Sequence, residues 1–178
     1  DFTVRFGEET DTLDTEGKVI ERSDLRPTRA EVEVVLPQFT GPIEQVPPAY
    51  SALKVDGRRA YDLARAGEEV QLKRRAVTIF DLSFRHAELV SASTHQLSPL
   101  VQKEEWALKQ VQGDDKVEKI TLSAHVSKGT YVRSLARDTA RALGSVGHVT
   151  YLRRTKAGPF SESQAISLDK LKKQANGP

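Results

Sequence analysis

The chain has 178 residues, enough for one domain that buries about two-thirds of the surface its unfolded form exposes. Lys plus Arg number 27 and Asp plus Glu 25, a formal net charge of +2 with no global excess to force a nucleic-acid or membrane partner. The lack of any cysteine excludes a disulfide scaffold, a thiolate metal site and a Cys nucleophile, and fits the cytoplasm.

No apolar run approaches the roughly 18 residues that span a bilayer, and no signal-peptide pattern opens the chain, so neither membrane nor export is expected. There is also no methionine, even at position 1, so the start reads as cut. Charge is unevenly divided. Residues 1–45 hold eleven acids and five bases, 54–75 seven bases and four acids, and 116–156 nine bases and two acids. A basic face on a globular domain would give this pattern, and so would opposite ends of the chain pairing with each other.

In chain order, Phe2–Gly7 alternates as a half-buried strand, and turn chemistry over Asp11–Gly17 leads to Lys18-Val19-Ile20, which predicts a hairpin. Thr28-Arg29-Ala30-Glu31 is a capping box, followed by Val32, Val35, Leu36 and Phe39 at helical spacing, with Pro37 closing or kinking the helix. Leu53-Lys54-Val55 meets Asp56-Gly57, a two-residue turn suited to positive φ, so a second hairpin is expected. Arg59–Ala66 reads as a short helix stopped by Gly67. Val77–Phe84 and Ile120–Val126 are β-branched strands, and 129–143 reads as a helix ended by Gly144, with Val132, Leu135, Ala136, Thr139 and Leu143 as its apolar stripe. His148–Arg153 returns as a strand. Between 87 and 115 Ser, Gln and Thr dominate and no period persists, so this stretch reads as a flexible surface insertion, with a functional lid as the alternative.

Candidate chemistry is sparse. His86, His95, His125 and His148 are too scattered for metal ligation, and no carboxylate cluster completes a site, so no metal is expected. There is no glycine-rich phosphate loop and no G-x-S-x-G elbow. The informative anomaly is Ser127-Lys128-Gly129-Thr130-Tyr131-Val132-Arg133. With Thr130 as the helix cap, Arg133 takes the third helical position, where a Glu or Gln would complete a capping box and where the macrodipole disfavours a cation. Such a helix end would hold an anion, although Arg133, Arg137 and Arg141 at i, i+4, i+8 equally suit a solvated face. A second candidate is the proline-stiffened stretch 45–54, which presents Tyr50 and Lys54 and leads into Arg58, Arg59, Tyr61 and Arg65. Cations interleaved with tyrosine suit phosphate contact plus stacking on exposed RNA bases, while Tyr61 equally suits packing under the hairpin.

The run from Ile43 to Gly67, containing Gln45-Val46-Pro47-Pro48-Ala49-Tyr50-Ser51-Ala52-Leu53-Lys54, resembles the tRNA-gripping segment of bacterial tRNA pseudouridine-55 synthases of the TruB type. Ser127–Arg133 resembles that family's S-K-G-T-Y-I/V-R motif, Tyr151-Leu152-Arg153-Arg154-Thr155 its Y-L-R-R-T motif, and Arg5–Asp14 with Gly17 its acidic hairpin. The resemblance covers nearly the whole chain apart from 87–115. It implies a mixed α/β pseudouridine synthase fold, a largely antiparallel sheet with flanking helices, that isomerises a uridine in the T loop of tRNA without metal or cofactor. The target base is flipped into a pocket, which gives access that buried chemistry on a base requires. It further implies that Arg133 pairs with a nucleophilic aspartate, that Tyr131 and Leu152 line the uracil pocket, that Lys128 supports the site, and that Tyr50, Lys54, Arg58, Arg59, Tyr61, Arg65, Arg153 and Arg154 contact RNA. tRNA is the expected partner and a monomer the expected state.

Some departures matter. The family's nucleophile lies in a G-x-L-D-P-x-A-x-G motif upstream of the first strand, and no such motif occurs here, so the catalytic aspartate is expected outside this chain. Asp14 lacks the following proline and matches the downstream hairpin instead. Residues 1–171 therefore read as a partial catalytic domain, incomplete at its N-terminus, with 41–67 as the tRNA-gripping insertion and 172–178 as a tail without the C-terminal RNA-binding module. The alternative functions are a non-catalytic tRNA-elbow binding module or RNA chaperone, and a general RNA-binding domain.

Overall fold

The computed structural model describes residues 1–55, 57–68, 70, 72–89, 115–166 and 171. Its elements in chain order are β1 Phe2–Phe6, β2 Glu8–Thr10, β3 Val19–Arg22, α1 Arg29–Val35 continued by a 3-10 turn Leu36–Phe39, β4 Gly41–Gln45, β5 Lys54–Val55, β6 Arg58–Arg59, α2 Ala60–Arg65, β7 Arg75–Leu89, β8 Val117–Val126, α3 Val132–Ala142 and β9 Gly147–Leu152. The short strands β10 Lys156–Ala157 and β11 Phe160–Ser161 and a 3-10 turn Glu162–Gln164 follow. Five strands form an antiparallel sheet in the order β4-β7-β8-β1-β9, which meets the mixed α/β expectation.

β1 alternates buried and half-buried because it is flanked on both sides, by β8 and β9. Phe2, Val4 and Phe6 point into a core shared with Ile120, Leu122 and Val149 of the sheet, with Leu135, Ala136 and Ala140 of α3, with Val32 of α1 and with Leu36 of the 3-10 turn that continues it. The expected hairpin is therefore displaced. β1 does not pair with the strand after the turn; Glu8–Thr10 does, against Val19–Arg22. Alternation identifies a strand but not its partner.

The capping box is realised as expected. The Glu31 N–H donates to Thr28 Oγ1 at 3.2 Å and the Thr28 N–H to the Glu31 carboxylate at 2.7 Å. The Thr28 N–H first, and then its hydroxyl, which donates to the same carboxylate at 3.0 Å, hold the Glu31 carboxyl below its ordinary value, so their contribution is present above the unfolded pKa and is lost as pH falls through the lowered one. The hairpin β5–β6 pairs Lys54 with Arg59 and Val55 with Arg58, while Asp56 lies outside the described residues. Gly67 and Gly144 stop α2 and α3 at φ +77° and +73°. β7 runs longer than the expected strand. Ala87, Glu88 and Leu89 belong to it, opposite Ile120, Lys119 and Val117, so the irregular stretch cannot start at 87. Residues 90–114 and the tail 172–178 lie outside the described residues. Helix α3 starts at Val132, three residues later than the sequence suggests.

Gly147 opens β9 where the strand presses hardest on its neighbours. A Cβ there would lie 2.9 Å from the Arg5 carbonyl oxygen, 3.0 Å from Ala140 Cβ and 3.2 Å from Val4 Cγ1. Gly147→Ala is expected to destabilise the fold by about 1–3 kcal/mol through overpacking, read as a lower urea midpoint with unchanged slope. A midpoint equal to that of the unaltered protein would show that β1, β9 and α3 have slack.

Candidate active site and nucleic-acid interface

The site is built around the first turn of α3. Tyr131, not Thr130, is the N-cap, in an extended conformation with no side chain capping the helix from its own segment. Arg133 is thus the second helical residue, where exposed N–H groups and the macrodipole both oppose a cation. The opposition is answered by acceptors from three directions. Arg133 Nη1 donates to Asp14 Oδ2 at 2.9 Å and to the Thr12 carbonyl at 2.8 Å, and Nη2 donates to the Tyr50 carbonyl at 2.9 Å. The two charged side chains are about one-quarter exposed, 25% and 27%, so the pair is screened less than a surface bridge.

Asp14 is delivered by an unusual turn. Leu13 adopts φ +62° although it carries a side chain, and it is buried. Its N–H donates to the Thr10 carbonyl and its carbonyl accepts from the Val149 N–H, each at 3.0 Å, which pins the turn against β9. The Thr10 hydroxyl donates to the Asp14 carbonyl at 2.6 Å. Asp14 Oδ1 accepts from the Thr12 hydroxyl at 2.6 Å and from the Glu16 N–H at 3.1 Å, and Oδ2 takes Arg133. Three donors therefore occupy this carboxylate, two on Oδ1 and one on Oδ2. Among the described residues the carboxylate that pairs with Arg133 is Asp14.

Of the arginine stripe of α3, Arg133 and Arg137 are largely withdrawn from solvent while Arg141 is exposed, and all three are paired. Arg137 Nη2 donates to the Val46 carbonyl at 3.1 Å and Nε to Asp138 at 2.8 Å, and Arg141 holds the buried Glu9 carboxylate through two bonds of 3.2 and 2.7 Å. The Ser134 hydroxyl adds a 2.8 Å bond to the same Val46 carbonyl. The acidic stretch 1–45 and the basic region meet at Arg133–Asp14 and Arg141–Glu9, so the pairing of opposite chain ends holds for these residues.

The structure brings Tyr131, Arg133 and Tyr50 together. Tyr50 meets the Tyr61 ring edge-on at 6.1 Å, and the Arg65 guanidinium lies 4.3 Å over Tyr61. Tyr61 is half-buried with one face covered by Arg65, which matches packing under the hairpin better than an open stacking platform. Lys54, Arg58 and Arg59 are exposed on the β5–β6 hairpin, where Arg58 forms a 3.0 Å ion pair with Glu68. Lys128 is exposed in the turn before α3. Leu152 ends β9 opposite Phe2 and is 57% exposed, three residues beyond Val149, which bridges Asp14. Arg153 and Arg154 follow, both exposed; Arg153 pairs with Glu162, whose hydrogen bond and charge hold the guanidinium protonated above its ordinary value. His148 is a satisfied core residue, with Nδ1 2.7 Å from the Glu8 carbonyl, and His86 and His125 are exposed. Among the described residues no three His, Asp or Glu side chains converge as metal ligands, and no helix is long and apolar enough to cross a membrane.

Sequence reading missed Gln45, whose buried amide bonds to the backbone of Tyr131, and the partnership of Asp14 with Arg133. A glutamine ending a strand carries no local signal of an 86-residue reach. The signal for Asp14 was present as Thr12-Leu13-Asp14, an acid with a hydroxyl two residues before it, as in a tight turn.

The chain is 56% identical to the tRNA pseudouridine synthase B of Novosphingobium aromaticivorans over 99% of its own length and 50% of that protein. It is 49% identical to the protein of the same name from Zymomonas mobilis, over 98% of this chain and 48% of that one. It spans about half the length of the curated relatives it matches. A chain in the crystal structure of a Cbf5-Nop10-Gar1 complex is similar over 95% of this chain and 34% of its own, at 22% identity and a TM-score of 0.49. Residues 133–176 match the tRNA pseudouridylate synthase B C-terminal domain. Residues 1–132 match the N-terminal domain of the TruB family of pseudouridylate synthases, and to that family this chain belongs.

Proposed function

We propose that this chain is part of a tRNA pseudouridine synthase that isomerises uridine-55 in the T loop of tRNA. The observation that carries the reading is the Arg133 fork at the start of α3, fixed by the acidic turn on one side and by the Tyr50 carbonyl of the RNA-gripping segment on the other. In the reaction the bond from ribose C1′ to N1 breaks and a bond from C1′ to C5 forms. C5 loses its proton and N1 ends protonated, so atoms and charge balance without a cofactor.

In this reading Arg133 orients and holds ionised a nucleophilic aspartate, since an opposite charge within about 4–6 Å favours the charged form. That nucleophile comes from outside the described residues. Asp14 is unsuited because the Thr12 hydroxyl, the Glu16 N–H and Arg133 already occupy its oxygens, and its role is to anchor Arg133. Tyr131 and Leu152 line the uracil pocket, Lys128 supports it, and Tyr50, Lys54, Arg58, Arg59, Arg65, Arg153 and Arg154 meet the tRNA T arm.

Arg133→Ala in the full-length protein is expected to slow single-turnover pseudouridine formation at saturating enzyme by more than about 100-fold, with T-arm affinity within about threefold. A rate within about tenfold of the unaltered enzyme, under about 1.4 kcal/mol, would remove the role.

The chain as given is expected to bind a T-arm hairpin weakly and to form no pseudouridine. Its affinity should fall at least about tenfold between 50 and 200 mM salt, because contacts to several phosphates release counterions. Replacing Arg58 and Arg59 by Glu should weaken binding further while lowering the melting temperature only slightly, since both are exposed and the Arg58–Glu68 ion pair it removes lies at the surface. Fluorescence anisotropy at the two salt concentrations, with product analysis of the same samples, checks this. Salt-insensitive binding would refute the basic RNA face, and product above background would return Asp14 as a nucleophile.

A further inference from the structure

Gln45 closes β4 and is only 1% exposed, one of the largest fully buried side chains in the molecule. Its amide oxygen accepts from the Tyr131 N–H at 3.1 Å, and its amide nitrogen donates to the Tyr131 carbonyl at 3.4 Å. One side chain thus reads both peptide groups of one residue across 86 positions of sequence. Tyr131 needs this partner. As the N-cap it stands outside the helical ladder in an extended conformation, and its own segment supplies no side-chain cap. Its carbonyl also accepts the first hydrogen bond of α3, from Leu135 at 3.1 Å, so Gln45 ties the cap and the start of the helix to the end of β4.

The next residues reinforce the connection. The Val46 carbonyl takes hydrogen bonds from Ser134 and Arg137, and the Tyr50 carbonyl takes one from Arg133. The segment 45–50 therefore runs along the first turns of α3, fastened at its beginning, just after, and at its end. Packing alone does not call for an amide at 45, because methionine has nearly the same length and no polar atoms to satisfy. What the amide adds is direction: a donor and an acceptor side by side admit one orientation of the Tyr131 backbone.

We propose that Gln45 is a positioning residue for the isomerisation, holding the Tyr131 backbone so that the Tyr131 ring and the Arg133 guanidinium keep a fixed mutual placement at the base pocket. This role rests on the proposed function. It acts through Tyr131 and Arg133 and needs no contact between Gln45 and RNA, which its burial forbids. Its signature is a loss of rate without a loss of affinity, because small displacements of reacting groups cost far more in rate than in binding.

The test uses the full-length protein. Gln45→Met removes both hydrogen bonds at nearly constant length, and Gln45→Glu keeps an acceptor for the Tyr131 N–H while, ionised, it loses the donor to the carbonyl. Single-turnover pseudouridine formation at saturating enzyme, T-arm affinity and thermal unfolding are measured for each. Gln45→Met is expected to slow turnover at least about 30-fold with affinity within about threefold and unfolding still cooperative, and Gln45→Glu to fall between it and the unaltered enzyme. A Met variant within about threefold of the unaltered rate overturns the proposal, as does a rate that falls only in step with affinity or with the folded fraction. If Gln45→Met does not fold, Gln45→Leu decides, since it too removes both hydrogen bonds and cannot restore one by taking up a proton: about tenfold slowing at unchanged affinity supports the role, and an unaltered rate overturns it. Unaltered full-length protein that makes no pseudouridine overturns the proposed function, and this role with it; an active enzyme indifferent to Gln45 overturns this role alone.

Discussion

The fork of Arg133 joins three separate parts of the chain at one side chain. One guanidinium ties the turn before β3 to the start of α3 and both to the stretch leading into the β5–β6 hairpin. A lysine would not serve, since its ammonium lacks the planar spread of donors needed to satisfy a carboxylate and two carbonyls in different directions. The position is costly in isolation, because a helix N-terminus repels a cation, and Asp14 converts that cost into a paired, partly desolvated charge. The strained turn at Leu13 belongs to the same economy of charge, since it sets Asp14 beside Val149 and within reach of the fork.

Around the fork the sheet and helices act as a frame. The buried face of β1 and the apolar side of α3 form one core, and the tight approach at Gly147 fixes the helix against β1 and β9. Arg141 on Glu9 and Arg137 on Val46 then fasten the far turns of the same helix. The start of α3 is thus braced from two sides. The cations assigned to RNA are left on exposed hairpin and strand-end positions, where contacts to a flexible phosphate backbone need reach more than precision.

Local features were legible in the sequence and long-range ones were not. The capping box at Thr28 and Glu31, the β5–β6 hairpin and the glycine stop at Gly67 each depend on residues within a few positions, and each formed as read. The start of α3 was misplaced because its N-cap is Tyr131, whose backbone is held by Gln45 from far away in sequence, and not Thr130. The partner of β1 was misassigned because alternation gives burial and not pairing. Arg133 was legible as an anomaly, a cation at the wrong end of a helix, and that anomaly correctly asked for an anion. The turn that supplies Asp14 depends on a leucine in a left-handed conformation that no propensity would suggest.

The central claim is that the base undergoing isomerisation sits at the Arg133 fork, between Tyr131 and Leu152. A crystal structure of the full-length protein with T-arm RNA carrying 5-fluorouridine at the target position tests it most directly. The account predicts a flipped base beside Tyr131 and Leu152, with the Arg133–Asp14 pair intact and a second carboxylate, from outside the described residues, next to Arg133. A flipped base bound away from α3, or Arg133 turned from Asp14 onto a phosphate, would contradict it.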